Sequence, residues 1–281
     1  MAQRVIIVCQ KTTDFFIGTL EYHLQQGGWA VELTSSLDAC LKSIDSNRPQ
    51  LLIVDSPFEA HDRLMDMLKC DAKFLTIPVV QLVTSLDNWR KKMRILGETQ
   101  LYQPFEVKDV GNAASDLLNA AIGGGPDHRV RLHVPPEETW LDQANDFAAR
   151  LFLAAGLPEP DQVKLCTAFR EALGNAAQHG KSNDPTPISV EYVGESGQVS
   201  ITVTDTGKGF PWAQLVKQAQ DALSASRKRS AEGRKGGLGI MLMRKCVDEL
   251  NYNESGNAVT LVKYIGRSSS SSQQRALAGQ A

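Results

Sequence analysis

Glu171 and Asn175 stand four residues apart in EALGNAAQHG, residues 171–180, a stretch that otherwise reads as helix. On a helix they project from one face, one turn apart, and His179 continues that face. They place a carboxylate and a carboxamide where a core helix would take leucine. Further along, GQVSITVTDTGKGF ends in Asp205, Gly207 and Gly209, and GGLG at 236–239 opens a helix with Gly237 and Gly239. A glycine-rich turn leading into a helix offers backbone N–H groups to phosphate oxygens, and the missing Cβ lets those oxygens come close. Each feature alone also has an ordinary structural use as a solvated helix face, a turn or a tightly packed helix start. His179 equally suits a helix end, where a cation meets the negative end of the dipole.

The elements that must hold these residues are legible around them. RVRLHVP from Arg129 predicts a strand, and EETWLDQANDFAARLFLAAG predicts an amphipathic helix with Leu141, Ala144, Phe147, Ala148, Leu151 and Phe152 inward. A second helix is expected from about Glu159 to His179, with Val163, Leu165, Cys166, Phe169, Leu173 and Ala176 on its buried side and Gly180 as its stop. PISVEYVGES and GQVSITVT follow as strands joined by a Gly/Ser turn. Pro211 to Lys235 is a long polar stretch with Arg227, Lys228, Arg229, Arg234 and Lys235, which suits a mobile lid or simply a solvated loop. From Gly236, GGLGIMLMRKCVDEL predicts a helix carrying Ile240, Leu242, Met243, Cys246, Val247 and Leu250, and NAVTLVKYIG supplies a last strand.

In this order, a helix with ExxxN, a strand ending in DxGxG, a basic stretch and GGLG at a helix start, the set resembles the ATP-binding (Bergerat-type) fold of histidine kinases, gyrase, heat-shock chaperones and mismatch-repair ATPases. The resemblance spans about residues 129–266 and implies an α+β two-layer sandwich. It also implies roles. Asn175 would coordinate the Mg²⁺ that bridges the phosphates, and an amide oxygen is a suitable hard ligand for that ion. Asp205 would accept a hydrogen bond from the adenine amino group. Gly207 and Gly209 would let the loop pass close to the nucleotide, Gly237 and Gly239 would line the phosphate side, and Lys208 with the lid cations would lie over the phosphates. Glu171 would be a general base for an attacking hydroxyl.

Histidine kinases carry their phosphoacceptor histidine on a helical hairpin before this fold, yet only His128 and His133 stand near its start, in a linker and a strand. Gyrase-like relatives need a further transducer domain, and only RSSSSSQQRALAGQA follows here. GLGIMLMRKCVDELNY is most similar to the anti-sigma-factor serine kinases of bacterial partner-switching systems. That similarity implies ATP and Mg²⁺ as cofactors, a serine or threonine of a STAS-type anti-sigma antagonist as substrate, a sigma factor as a further partner, and a homodimer. Two alternatives stay open. One is a binding module that sequesters a sigma factor without chemistry. The other is a histidine kinase-like relative acting on a separate phosphotransfer protein.

Residues 1–122 show a different rhythm, in which five strand-like runs (RVIIVCQ, WAVELTSS, LLIVDS, PVVQLVT, TQLYQPF) alternate with five helix-like ones, NWRKKMRIL among the latter. That alternation predicts an α/β, doubly wound, five-stranded parallel sheet with ligands at the carboxyl ends of the strands. Asp55, ending LLIVD, and Thr84, ending PVVQLVT, make this half resemble a response-regulator receiver of two-component signalling. The family's Mg²⁺-holding acidic pair is replaced by Cys9 and Gln10, and its lysine by Gln103 before Pro104. Without those charges to neutralise an acyl phosphate, the resemblance implies a degenerate receiver. It would serve as a docking or dimerisation surface around Thr84 to Pro104, and Asp55 reads either as a strand-end aspartate capping the following turn or as a residual, metal-independent switch.

A chain of 281 residues suits two domains, and Gly123-Gly124-Gly125-Pro126 marks a linker at 123–128. The Ser- and Gln-rich stretch 267–281 predicts a disordered tail. A formal charge of −2 and 42% hydrophobic residues describe a soluble protein with no basic excess for nucleic acid. The five cysteines include no CxxC pair, and no segment approaches the ~20 apolar residues that span a bilayer, so a cytoplasmic protein with no membrane segment is expected.

Overall fold

The computed structural model describes residues 3–121, 128–180, 188–212, 214 and 238–266. The expected linker glycines, Gly237, the basic stretch and the tail lie outside the described residues. The chain divides into two compact units, Met1–Arg131 and Leu132–Ala281.

In the first unit the chain runs β1 (Gln3–Val8), α1 (Phe15–Gln26), β2 (Trp29–Thr34), α2 (Leu37–Ser46), β3 (Leu51–Asp55), α3 (His61–Cys70), β4 (Val79–Val83), α4 (Leu86–Arg90), β5 (Arg94–Leu96), β6 (Thr99–Tyr102) and α5 (Val107–Ala121). The sheet order is β2-β1-β3-β4-β6, and every pairing in it is parallel. Counted by its sheet strands this is the 2-1-3-4-5 order of a doubly wound fold, whose ligand crevice lies at the carboxyl ends of the strands. Val5 to Val8 and Leu51 to Val54 are fully buried, as strands covered on both faces must be. Asp14 starts α1 by accepting from the Phe16 and Ile17 N–H groups.

One expected helix is cut short. NWRKKMRIL is helical only to Arg90, and Arg94–Leu96 is extended. The cause is Gln81, fully buried on β4, whose amide donates to the Ile95 carbonyl at 3.0 Å and accepts from the Gly97 N–H at 2.8 Å. Those backbone groups would be used up internally in a helix, and leaving a buried amide without partners costs about 1–3 kcal/mol.

The second unit is entered within β7 (His128–Val134) and continues with α6 (Glu138–Ala154), α7 (Glu159–His179), β8 (Ile188–Glu195), β9 (Gln198–Thr204), α8 (Leu238–Cys246), β10 (Glu249–Tyr252) and β11 (Ala258–Tyr264). Its strands lie in the order β10-β11-β9-β8-β7. β8, β9, β10 and β11 pair antiparallel, with Ala258 opposite Thr204 and Tyr252 opposite Val259. Leu141, Ala144, Phe147, Ala148, Leu151 and Phe152 of α6 are all buried, as the apolar spacing requires.

Three expectations fail in this unit. Val163 is 61% exposed and Leu242 is 42% exposed, although both were assigned to buried helix faces. On α7 the buried positions are 165, 168, 169, 172, 173 and 176, and Val163 lies two residues before the first of them, on the opposite side. Leu250 belongs to a strand rather than a helix, because the carboxylate of Asp248 accepts from the Tyr264 N–H (2.8 Å) and Lys263 Nζ (3.1 Å) and ties the chain to β11 just after α8.

Candidate functional site

Five elements of the second unit, α7, β9, α8, β10 and β11, converge on one cavity of about 780 Å³, whose wall includes Glu171, Asn175, Asp205, Gly209, Gly239 and His179. α7 contributes Glu171 and Asn175 from its half-buried side. Its C-terminal Gly180 lies so close to the end of β9 that a Cβ there would stand 2.5 Å from the Asp205 Cβ. The absence of a side chain at Gly180 therefore brings the polar face of α7 against Asp205. Gly207 N–H donates to Asp205 Oδ1 at 2.7 Å.

Asp205 is fixed from its other side by Asn257. The Asp205 N–H donates to the Asn257 carbonyl (2.9 Å), and Asn257 Nδ2 donates to the Asp205 carbonyl (3.0 Å). Burial pushes the Asp205 carboxyl above the ordinary aspartate range, while the Gly207 N–H and His179 pull it back. A half-buried carboxylate held this way is a directional acceptor for a neutral N–H donor.

Two glycines stand where an added Cβ would force a neighbour to move. Gly209 has φ +70°, and a Cβ on it would lie 1.8 Å from the Ser255 carbonyl oxygen. At Gly239 a Cβ would lie 1.9 Å from Glu171 Oε1, so the start of α8 packs directly on that carboxylate. Gly207 and Lys208 are not in the wall among the described residues, and Lys208 is exposed.

The sequence reading passed over Tyr252, Phe210 and Asn257, all of which line the cavity. Tyr252 packs edge-on against Phe210 (ring centroids 5.5 Å apart) and stacks on Trp212 (5.4 Å). Burial, followed by the nearby Glu171 carboxylate, pushes its hydroxyl up to about 12, so it stays a neutral phenol beside Glu171. Tyr252 falls between the expected helix, which runs to Leu250, and the expected last strand from Asn257, and it is the strand Glu249–Tyr252 that brings it to the cavity.

In the first unit Asp55 ends β3 and Thr84 follows β4, where Thr84 Oγ1 and N lie 3.2 and 3.1 Å from Ser56 Oγ. Gln10 Oε1 accepts from the Glu59 N–H (2.9 Å), Cys9 is fully buried and Gln103 is exposed. Burial and then the Asp14 carboxylate push Asp55 up to about 6, and Asp14 is an acidic neighbour the strand-end pattern did not reveal.

A prediction follows from Asp55. Its folded value lies above the ordinary 3.8, so between those two pH values the folded state holds a proton that the unfolded state has lost, and stability falls as pH rises through the window. Asp55→Asn should therefore stabilise the first unit at pH 7 by on the order of 1–2 kcal/mol, after allowance for solvent screening. The gain should vanish near pH 4, the ordinary aspartate range. Urea unfolding at the two pH values checks this, and an unchanged or lowered stability at pH 7 contradicts it.

A layer of helices on an antiparallel sheet, with a polar helix face and a glycine-lined cavity between them, defines the class. Residues 134–263 match the family described as Histidine kinase-like ATPase domain. The Anti-sigma F factor of Geobacillus kaustophilus is 31% identical over 133 residues, covering 44% of this chain and 87% of that protein. The Anti-sigma F factor of Geobacillus stearothermophilus is 32% identical over 124 residues, 42% of this chain and 81% of that protein. By this similarity the chain belongs to the histidine kinase-like ATPase family, alongside the anti-sigma F factors. The Adaptive-response sensory kinase SasA of a Synechococcus strain is 24% identical over 231 residues, 76% of this chain and 60% of that protein. Among solved structures, a receiver-modulated diguanylate cyclase from Pelobacter carbinolicus is 20% identical, covering 43% of this chain and 96% of that chain, with a TM-score of 0.36. The doubly wound character of the first unit rests on its strand order, not on that score. No helix among the described residues is long and apolar enough to cross a membrane.

Proposed function

We propose that the chain is an Mg-ATP-dependent protein serine/threonine kinase of a partner-switching system, acting on a STAS-type anti-sigma antagonist and engaging a sigma factor. The observation that carries this reading is the meeting of Glu171, Asn175 and Asp205 in one cavity. Asp205 selects the base by accepting from an exocyclic amino group. Asn175 fits a place in the ligand set of Mg²⁺, since it lines the cavity and carries an amide oxygen, a hard donor, and the phosphates of a bound nucleotide would complete the set. When bound, that ion neutralises charge on the phosphates. Gly239, at the start of α8, leaves its backbone N–H open to the phosphates. Glu171 orients the substrate hydroxyl and takes its proton as the oxygen bonds to the γ-phosphorus and the bond to ADP breaks.

Retention of Glu171 favours catalysis over simple sequestration. The similarity to a sensory kinase favours, as second reading, transfer to a histidine of a separate protein. Incubation with labelled ATP and STAS-type proteins separates the readings. Acid-stable phosphoserine or phosphothreonine supports the first, an acid-labile product the second, and nucleotide binding without any transfer the sequestering module. For the first unit we propose a docking or dimerisation role centred on Thr84 to Pro104.

Asn175→Ala should lower ATP affinity at least about tenfold in magnesium, the loss of one interaction with a charged group. It should leave the affinity measured in EDTA nearly unchanged. Titration calorimetry in both buffers measures this, and equal losses in the two would refute a metal-directed role.

A further inference from the structure

The antiparallel ladder of β9 and β11 ends where Thr204 stands opposite Ala258, so Asp205 lies one residue beyond it. In a regular ladder the two residues of a bonded pair exchange both N–H···O bonds through their main chains. Asp205 and Asn257 exchange only one in that way, from the Asp205 N–H to the Asn257 carbonyl (2.9 Å). The second comes from a side chain, with Asn257 Nδ2 donating to the Asp205 carbonyl at 3.0 Å.

The turn between β10 and β11 fixes that donor. Asn257 Oδ1 accepts from Asn253 Nδ2 (2.8 Å) and Ser255 Oγ (2.6 Å), and Asn253 Oδ1 accepts from the Gly256 and Ala258 N–H groups (2.9 and 3.1 Å). The amide oxygen is thus held inside the turn and the amide nitrogen on Asp205. An aspartate in this position would have no N–H to offer, and a serine has no second polar atom to hold. The turn also packs on the loop that follows Asp205, since a Cβ on Gly256 would lie 2.2 Å from the Phe210 carbonyl oxygen. The Asp205 carboxylate itself is bonded only within its own loop, by the Gly207 N–H at 2.7 Å. It therefore turns with the Asp205 peptide, and Asn257 holds that peptide at both ends.

We infer that Asn257 is a positioning residue that sets the base selectivity of this cavity, by fixing the direction in which the Asp205 carboxylate meets the exocyclic amino group of a purine. It acts on the base's partner and lines the same wall, together with Gly256 and Ala258. A hydrogen bond weakens steeply as its angle closes, so a rotated Asp205 peptide forfeits the amino group first. Asn175 and Gly239 stand on α7 and α8, outside this turn, and keep the phosphate side as it was. This inference rests on the nucleotide reading of the same cavity.

The test titrates the full chain in magnesium, by calorimetry, with ATP and with purine riboside triphosphate, which is ATP without its exocyclic amino group. The wild type should prefer ATP at least about tenfold, the usual contribution of one hydrogen bond to a charged group. Asn257→Ala should erase that preference by weakening ATP alone. Asn257→Asp keeps both acceptor bonds of the turn and sets an oxygen against the Asp205 carbonyl, so it should erase the preference too. Its added charge acts on both triphosphates alike, and their ratio reads only the base. Circular dichroism verifies folding, and Asn257→Asp decides if the alanine variant does not fold. A preference that survives, or an equal weakening of the two ligands, overturns the inference and leaves Asn257 as a support of the wall. A wild type that binds both ligands equally shows that Asp205 does not read the amino group, and the inference falls while ATP binding stands. No binding of either ligand overturns the nucleotide reading as well.

Discussion

Glu171→Gln should bind ATP as tightly as the wild type and transfer its phosphoryl group about 10²–10⁴-fold more slowly, the usual cost of removing a positioned general base. The substitution keeps the shape that packs on Gly239, where the carboxylate oxygen already fills the space of a Cβ. It removes only the ability to accept a proton. Asp205 and Asn175 stay in place, so calorimetry should give an unaltered nucleotide affinity while single-turnover transfer to a STAS-type protein collapses. A variant that transfers at the wild-type rate removes Glu171 as base. One that loses nucleotide affinity in parallel shows that the carboxylate holds α8 rather than the reaction.

Gly209→Ala should be the most damaging single-atom change in the second unit. Alanine at φ +70° carries the left-handed penalty of about 1–2 kcal/mol, and its Cβ would stand 1.8 Å from the Ser255 carbonyl oxygen. The strand-end loop and the Asn253–Asn257 turn must then separate, at an overpacking cost of typically 1–3 kcal/mol more. Asn257 is bonded to the Asp205 backbone, so the same movement misplaces Asp205. Expected together are a melting temperature lower by roughly 6–12 °C for about 3 kcal/mol in a unit of this size and an ATP affinity reduced at least about tenfold. Gly197→Ala is the control, with φ +87° and nothing within 4 Å of the new Cβ. It should lose stability through backbone strain alone and keep its nucleotide. Equal ATP affinities for the two variants would show that the contact with Ser255 does not position Asp205.

Much of this arrangement was legible from local pattern. In the first unit β1, β3 and β4 announced themselves as short apolar runs, because a strand buried on both faces has little polar side to show, whereas β2 and β6 are only partly buried. α6 was legible to the residue, since its periodicity and its burial agree. The errors share one cause. Val163 and Leu242 are apolar by type, yet the direction in which a helix turns its stripe is set by what it packs against. Arg94–Leu96 became extended only because a buried glutamine from a distant strand needed its backbone. Tyr252 reaches the cavity on a strand that Asp248 ties to β11, a contact that leaves no local signal.

The chain's own order of residues determined the polar pair on one helix face, the aspartate at a strand end and the glycines that follow it, because side-chain chemistry and helical or strand period are local properties. Only the tertiary structure decided that Gly180 lets α7 touch Asp205 and that Asn257 clamps it. Those contacts join residues far apart in sequence through close packing, where the space for a single Cβ separates a site from a clash.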